Sequence, residues 1–271
     1  MLQYSKFDNI DTDTETDADS PNSGAPRTEE GLFQAFLILH QRREQLDKKI
    51  LGQLPALSAA LQFRPRPQLR LILEAAVDEY DDICQRVLAL DGVRQESALR
   101  SVGHRHEISV CRLTAARALQ AMGCSEEAEG QSTQAIIAAS VPSKNAPAFD
   151  GLSSAISMLY QTRVDALLVR SMTRLSRGDF NAAHRDALDA HSDSRSLYLP
   201  QMETTALEMA MRCEMALHAG GPGEDGKGTQ LSPEDACNID FRDKESWSLL
   251  QKEARCAAGE TSGLTNLHSM D

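Results

Sequence analysis

Apolar residues in this chain recur three and four apart, in blocks separated by Gly, Pro and Asp. Leu69, Leu71, Ile72, Ala75, Ala76, Tyr80, Ile83, Val87 and Leu90 keep that spacing and predict a helix over about 68–90, ended by Asp91-Gly92. An earlier helix is expected from Thr28, where Thr-Glu-Glu supplies a cap and an acidic first turn. Its apolar side is Leu32, Phe33, Phe36, Leu37 and Leu39, and it runs towards Leu54-Pro55. A short piece follows, broken at Pro65 and Pro67. Two helix pairs come next, at about 94–121 with 125–140 and at 152–176 with 179–193, divided by the proline-containing loop 141–151. Ser125 is expected to cap the second helix of the first pair. Leu199-Pro200 starts a helix over 201–218. Residues 219–233 read as a flexible linker, 234–257 as a last helix carrying Trp247, and 258–271 as a disordered tail.

The stretch Leu167 to Ala190 says most about packing. Ser171, Ala183, Ala187 and Ala190 are small residues at offsets where two antiparallel helices approach closely, and Gly178-Asp179-Phe180 supplies the turn. Gly178, Ala183 and Ala190 are therefore expected at a tight helix–helix contact. A pair of this kind cannot bury its apolar face alone, so it implies stacked neighbours.

Composition agrees with helices. Of the 271 residues 41% are hydrophobic but only 4% aromatic, which implies an aliphatic, Ala-rich core. Alternating Val-rich runs are absent, so the fold class read from the sequence is all-α. The net charge of −12 argues against non-specific binding to nucleic acid or to an anionic membrane surface. No apolar run approaches the ~20 residues that span a bilayer, and the polar N-terminus lacks a signal-peptide core. The six cysteines include no C-x-x-C pair and read as reduced, buried fillers. Cytosol or nucleus is the expected location.

Placing Gly123 on Gly178 brings Ala116 onto Ser171, Ala128 onto Ala183 and Ala135 onto Ala190. This pattern resembles the tetratricopeptide repeat (TPR), a helix–turn–helix unit of about 34 residues. The second copy is the better match, through Leu167, Ser171, Gly178, Phe180, Ala183 and Ala190; the first has Arg112 at the large apolar position and Ser125 at the aromatic one. The resemblance covers about 106–218, with TPR-like pairs at 106–140 and 152–193 inside a helical domain over 29–218. It implies antiparallel helix pairs in a right-handed superhelix or, since the copies are 55 residues apart, an irregular helical bundle.

The resemblance also implies a concave groove lined by the first helix of each pair. Here its residues would be Val110, Leu113 and Arg117 from one copy and Asp165, Leu168, Val169 and Met172 from the other. The implied function is an intracellular adaptor holding a peptide or helix of a partner protein. One subfamily instead acts as co-chaperone, clamping the acidic C-terminal tails of heat-shock chaperones with Lys and Asn side chains. The matching positions here hold Leu113, Arg117 and Val169, and no lysine lies between Lys144 and Lys227.

Arg163, Arg170, Arg174 and Arg177 share one side of their helix and form a possible row for an acidic ligand, or pair with Asp165, Asp179 or the acidic tail, or face water. Residues 1–28 form that tail, too polar to order on its own. Ser5, Thr12, Thr14 and Thr16 each precede an acid by three residues, which suits an acidophilic kinase of the casein-kinase type. A phosphorylated tail could close over the arginine row.

Catalytic signatures are lacking: there is no G-x-S-x-G, no phosphate-binding glycine loop and no metal-ligand spacing among the seven histidines. No catalytic, cofactor or metal residues are expected. An enzyme of unrecognised type stays as the rival from another class.

Overall fold

The computed structural model describes residues 28–91, 98–140 and 150–219. Among these the chain forms seven α-helices and no strand, so the fold is all-α. They are α1 (Glu29–Ile50), α2 (Pro67–Asp91), α3 (Ala98–Met122), α4 (Ser125–Ala139), α5 (Asp150–Ser176), α6 (Phe180–Ser196) and α7 (Pro200–Ala219). Two short 3-10 turns, Leu51–Gln53 and Leu57–Gln62, link α1 to α2. The tail 1–27 with Ser5, Thr12, Thr14 and Thr16, the linker from 220 and the helix expected over 234–257 lie outside the described residues.

Local chemistry sets the helix ends. Thr28 Oγ1 accepts from the Gly31 amide at 3.1 Å, while Glu29 and Glu30 open α1 and Lys48 and Lys49 close it, matching the helix dipole. Pro67 and Pro200 stand at the first positions of α2 and α7, where the missing N–H costs nothing.

Three helices end in the same left-handed turn. Gly123 and Gly178 both have φ 80°, and Tyr198 has φ 55°. Each donates to the carbonyl three residues back (Gln120, Leu175, Arg195). The next residue donates to the carbonyl five back, Leu119, Arg174 or Ser194, at 2.9–3.0 Å. This is a Schellman closure, and the residue after the turn also starts the following helix. Gly178 thus supplies the turn but is exposed and takes no part in the helix contact expected of it. Ser125 is not the cap of α4 either. Cys124 holds that position and makes no side-chain bond, whereas Asp179, its counterpart before α6, accepts from the Ala182 amide. The closure shared by both turns already fixes the chain direction.

Packing follows chain order. Each helix packs on the next, and α3, α5 and α7 also meet in succession along one side. Small residues allow the close approach. Ala183, Ala187 and Ala190 of α6 are fully buried, and Ser171 Oγ donates to the Ala183 carbonyl at 2.7 Å across the α5–α6 seam. Leu73, Ala76, Tyr80, Ile83, Cys84 and Val87 form the buried stripe of α2, packed against α1 and α3. A second cluster of Met172, Leu175, Met209, Ala210, Cys213 and Ala216 joins α5 to α6 and α7. Phe33, expected on the apolar side of α1, is half exposed.

Candidate functional site: the face shared by α3, α5 and α7

The residues expected to line a groove separate into two groups. Leu113 and Arg117 of α3 and Asp165, Leu168 and Val169 of α5 line one cavity of about 300 Å³. Gln201, Met202 and Thr205 of α7 close another wall, and Leu57 of the second 3-10 turn reaches in from the α1–α2 connection. Val110 is partly exposed one turn before Leu113 and does not line the cavity. Leu168 and Val169 are themselves buried and form the cavity floor, whereas Met172 does not reach the cavity and belongs to the α5–α6–α7 core.

Helix geometry explains the split. Leu113 and Arg117 are four apart on α3, and Asp165, Leu168 and Val169 span one turn of α5, so each set shares a face. Met172 falls one further turn along, where α6 and α7 cover α5. Leu57 and the α7 residues carry no motif; they reach the cavity only through the fold.

The cavity is apolar with two charges in its wall. Burial pushes the Asp165 carboxyl up to about 6, and the Arg117 guanidinium facing it offsets part of that shift. Neither side chain makes a hydrogen bond or ion pair with a described residue; what joins them is attraction across the cavity.

The arginine row is engaged inside the fold. Arg170 grips Asp186 of α6 with two nitrogens, at 2.9 and 2.7 Å. Arg174 bridges Asp186 and Glu129 of α4, at 3.0 and 2.8 Å. Arg177 reaches the same Glu129 at 2.6 Å, and Arg163 faces Asp193 of α6 at 3.3 Å without hydrogen-bond alignment. The row therefore ties α4, α5 and α6 together. Among the described residues its hydrogen-bond and ion-pair partners are Glu129, Thr133, Asp186 and Asp193; of the partners expected, Asp179 acts on Arg174 by charge alone, and the tail lies outside the described residues. Arg112, at the large apolar position of the first copy, is buried and paired with Asp81 and Gln131.

A second polar assembly has no trace in the motif reading. Arg43 on α1 pairs with Glu107 of α3 at 2.6 Å and with Asp47 on its own helix. Tyr80 donates to Asp47 at 2.7 Å, and His40 meets Glu107 at 2.9 Å. Glu107 and Tyr80 are almost wholly buried. Burial and the Asp47 carboxylate hold the Tyr80 phenol protonated far above its ordinary range. Only the Arg43–Asp47 spacing of four residues was visible in the sequence. The network joins three helices through buried hydrogen bonds and ion pairs, which reads as structure.

Cys84, Cys111 and Cys124 are free thiols. No group of three or more His, Cys, Asp and Glu among the described residues could hold a metal ion. No described helix is long and apolar enough to cross a membrane. Comparison with known protein families, with curated proteins and with solved structures finds no match for this chain.

Proposed function

We propose that this chain is an intracellular protein-binding adaptor of the cytosol or nucleus, whose TPR-like helix pairs offer the face shared by α3, α5 and α7 to a peptide or helix of a partner. The observation that carries this reading is the convergence of Leu113, Arg117, Asp165, Leu168 and Val169 on one open cavity. Stacking of each helix on its neighbours supports the repeat. Binding would set an apolar side chain against Leu113, over a cavity floor formed by the largely buried Leu168 and Val169, while Gln201 and Thr205 fix the backbone of the incoming segment.

Leu113 and Thr205 are partly exposed, so Leu113→Glu and Thr205→Arg change the face without disturbing the core. Partner capture by cross-linking and mass spectrometry should fall at least ~10-fold for both variants, with helical circular dichroism unchanged. Equal capture by folded variants would move the binding surface away from this face. Met172→Glu is unsuited to the purpose, because it would place a charge in the core.

A further inference from the structure

Arg117 and Asp165 are opposite charges that line one small cavity and do not close on each other. Of the other charge pairs on α5, only Arg163 and Asp193, at 3.3 Å, are likewise without aligned hydrogen bonds. Arg43, Arg112, Arg170 and Arg174 all reach a carboxylate within 3.0 Å. Asp165 makes no hydrogen bond with a described residue and lines the cavity, so the partners left to its carboxylate are water or a ligand held there.

The two charges restrict what that ligand can be. A lone cation would be repelled by Arg117, and a lone anion by Asp165. An uncharged apolar molecule would desolvate both groups and satisfy neither. A molecule carrying an ammonium and a carboxylate a few ångströms apart satisfies both through charge-assisted hydrogen bonds. The rest of the wall, including Leu113, Leu168 and Met202, is aliphatic. At about 300 Å³ the cavity is at the small end of ligand sites, fit for one compact molecule.

We propose that this cavity is a receptor for a free α-amino acid with an aliphatic side chain. Its ammonium lies on Asp165, its carboxylate on Arg117, and its side chain against Leu113, Leu168 and Met202. The assignment goes beyond the adaptor reading, and its test needs no partner protein.

The test titrates the full chain with L-leucine, glycine, N-acetyl-L-leucine (no ammonium) and L-leucinamide (no carboxylate), by calorimetry and by thermal midpoint. L-leucine should bind saturably and raise the midpoint. Glycine and both blocked analogues should bind at least ~10-fold more weakly, each having lost one set of contacts. Arg117→Gln should abolish the preference for L-leucine over L-leucinamide, and Asp165→Asn the preference over N-acetyl-L-leucine. Circular dichroism establishes that both variants fold; if either does not, the analogue series on the unaltered chain decides alone. Absence of saturable binding by L-leucine, L-valine and L-methionine overturns the proposal. So does equal binding of L-leucine and its blocked analogues.

Discussion

Tyr198 holds a left-handed backbone, φ 55°, with its side chain 91% exposed. An L-residue with a Cβ pays about 1–2 kcal/mol for that region, which glycine does not. Nothing is lost from packing when so exposed a side chain is removed. Tyr198→Gly should therefore raise unfolding stability by about 0.5 kcal/mol, after the extra freedom glycine brings to the unfolded chain. Urea melts of the two proteins check this; a loss of stability would mean that the phenol ring contributes more than its exposure implies. Asp165 gives a pH-dependent effect. Its carboxyl is raised from 3.8 to about 6 in the fold, so the folded chain holds a proton that the unfolded chain has released between those values. Stability from this group is complete below about pH 4 and lost as the pH rises through about 6. Arg117 is the charged group facing it, and the α7 and 3-10 walls offer only Gln201, Met202, Thr205 and Leu57. Asp165→Asn should stabilise the protein at pH 7 by roughly 3 kcal/mol at most and change little at pH 4. A gain of equal size at both pH values would refute the desolvation argument.

The α5–α6 pair is the element that sequence reading reached furthest. The turn at Gly178-Asp179 and the buried alanines at 183, 187 and 190 all follow from spacing and residue size. Ala183 is fully buried, and its carbonyl accepts from Ser171. Ala183→Leu should cost about 1–3 kcal/mol through overpacking; an unchanged denaturation midpoint would show the seam to be loose. The surroundings of the pair were not legible. Periodicity tells which residues share a side of one helix, but not which helix will face that side. The row at Arg163, Arg170, Arg174 and Arg177 was therefore visible while its partners on α4 and α6 were not. Leu57, Gln201 and Met202 lie on segments without any pattern pointing to the cavity. Met172 shows the opposite error, since a position counted as groove by repeat register is covered by α6 and α7.

At the scale of the molecule, α1 is bound in an unusual way. Leu39, Leu46 and Ile50 give it apolar contact, and to this are added Arg42 on Glu79 and Asp82 of α2 and the buried set Arg43, Asp47, Tyr80 and Glu107. Removing one partner of such a buried set leaves the others uncompensated, typically at about 3–5 kcal/mol. Arg43→Ala should therefore raise amide exchange in α1 and at the α2–α3 junction. Protection in α5 and α6 should persist, because stacked helices unfold locally. Uniform loss of protection would show that the chain unfolds as one unit. The arginines of α5 carry a different consequence. Alanine-lined helices have smooth surfaces, so sliding one past another by a turn, about 5.4 Å, costs little in apolar contact. The spacing of Arg163, Arg170, Arg174 and Arg177 against Asp193, Asp186 and Glu129 permits one alignment. Slippage would strand half-buried guanidinium groups opposite the wrong carboxylates or none. The ladder thus works like teeth on a rack, giving a seam of near-featureless residues a single position at which it locks.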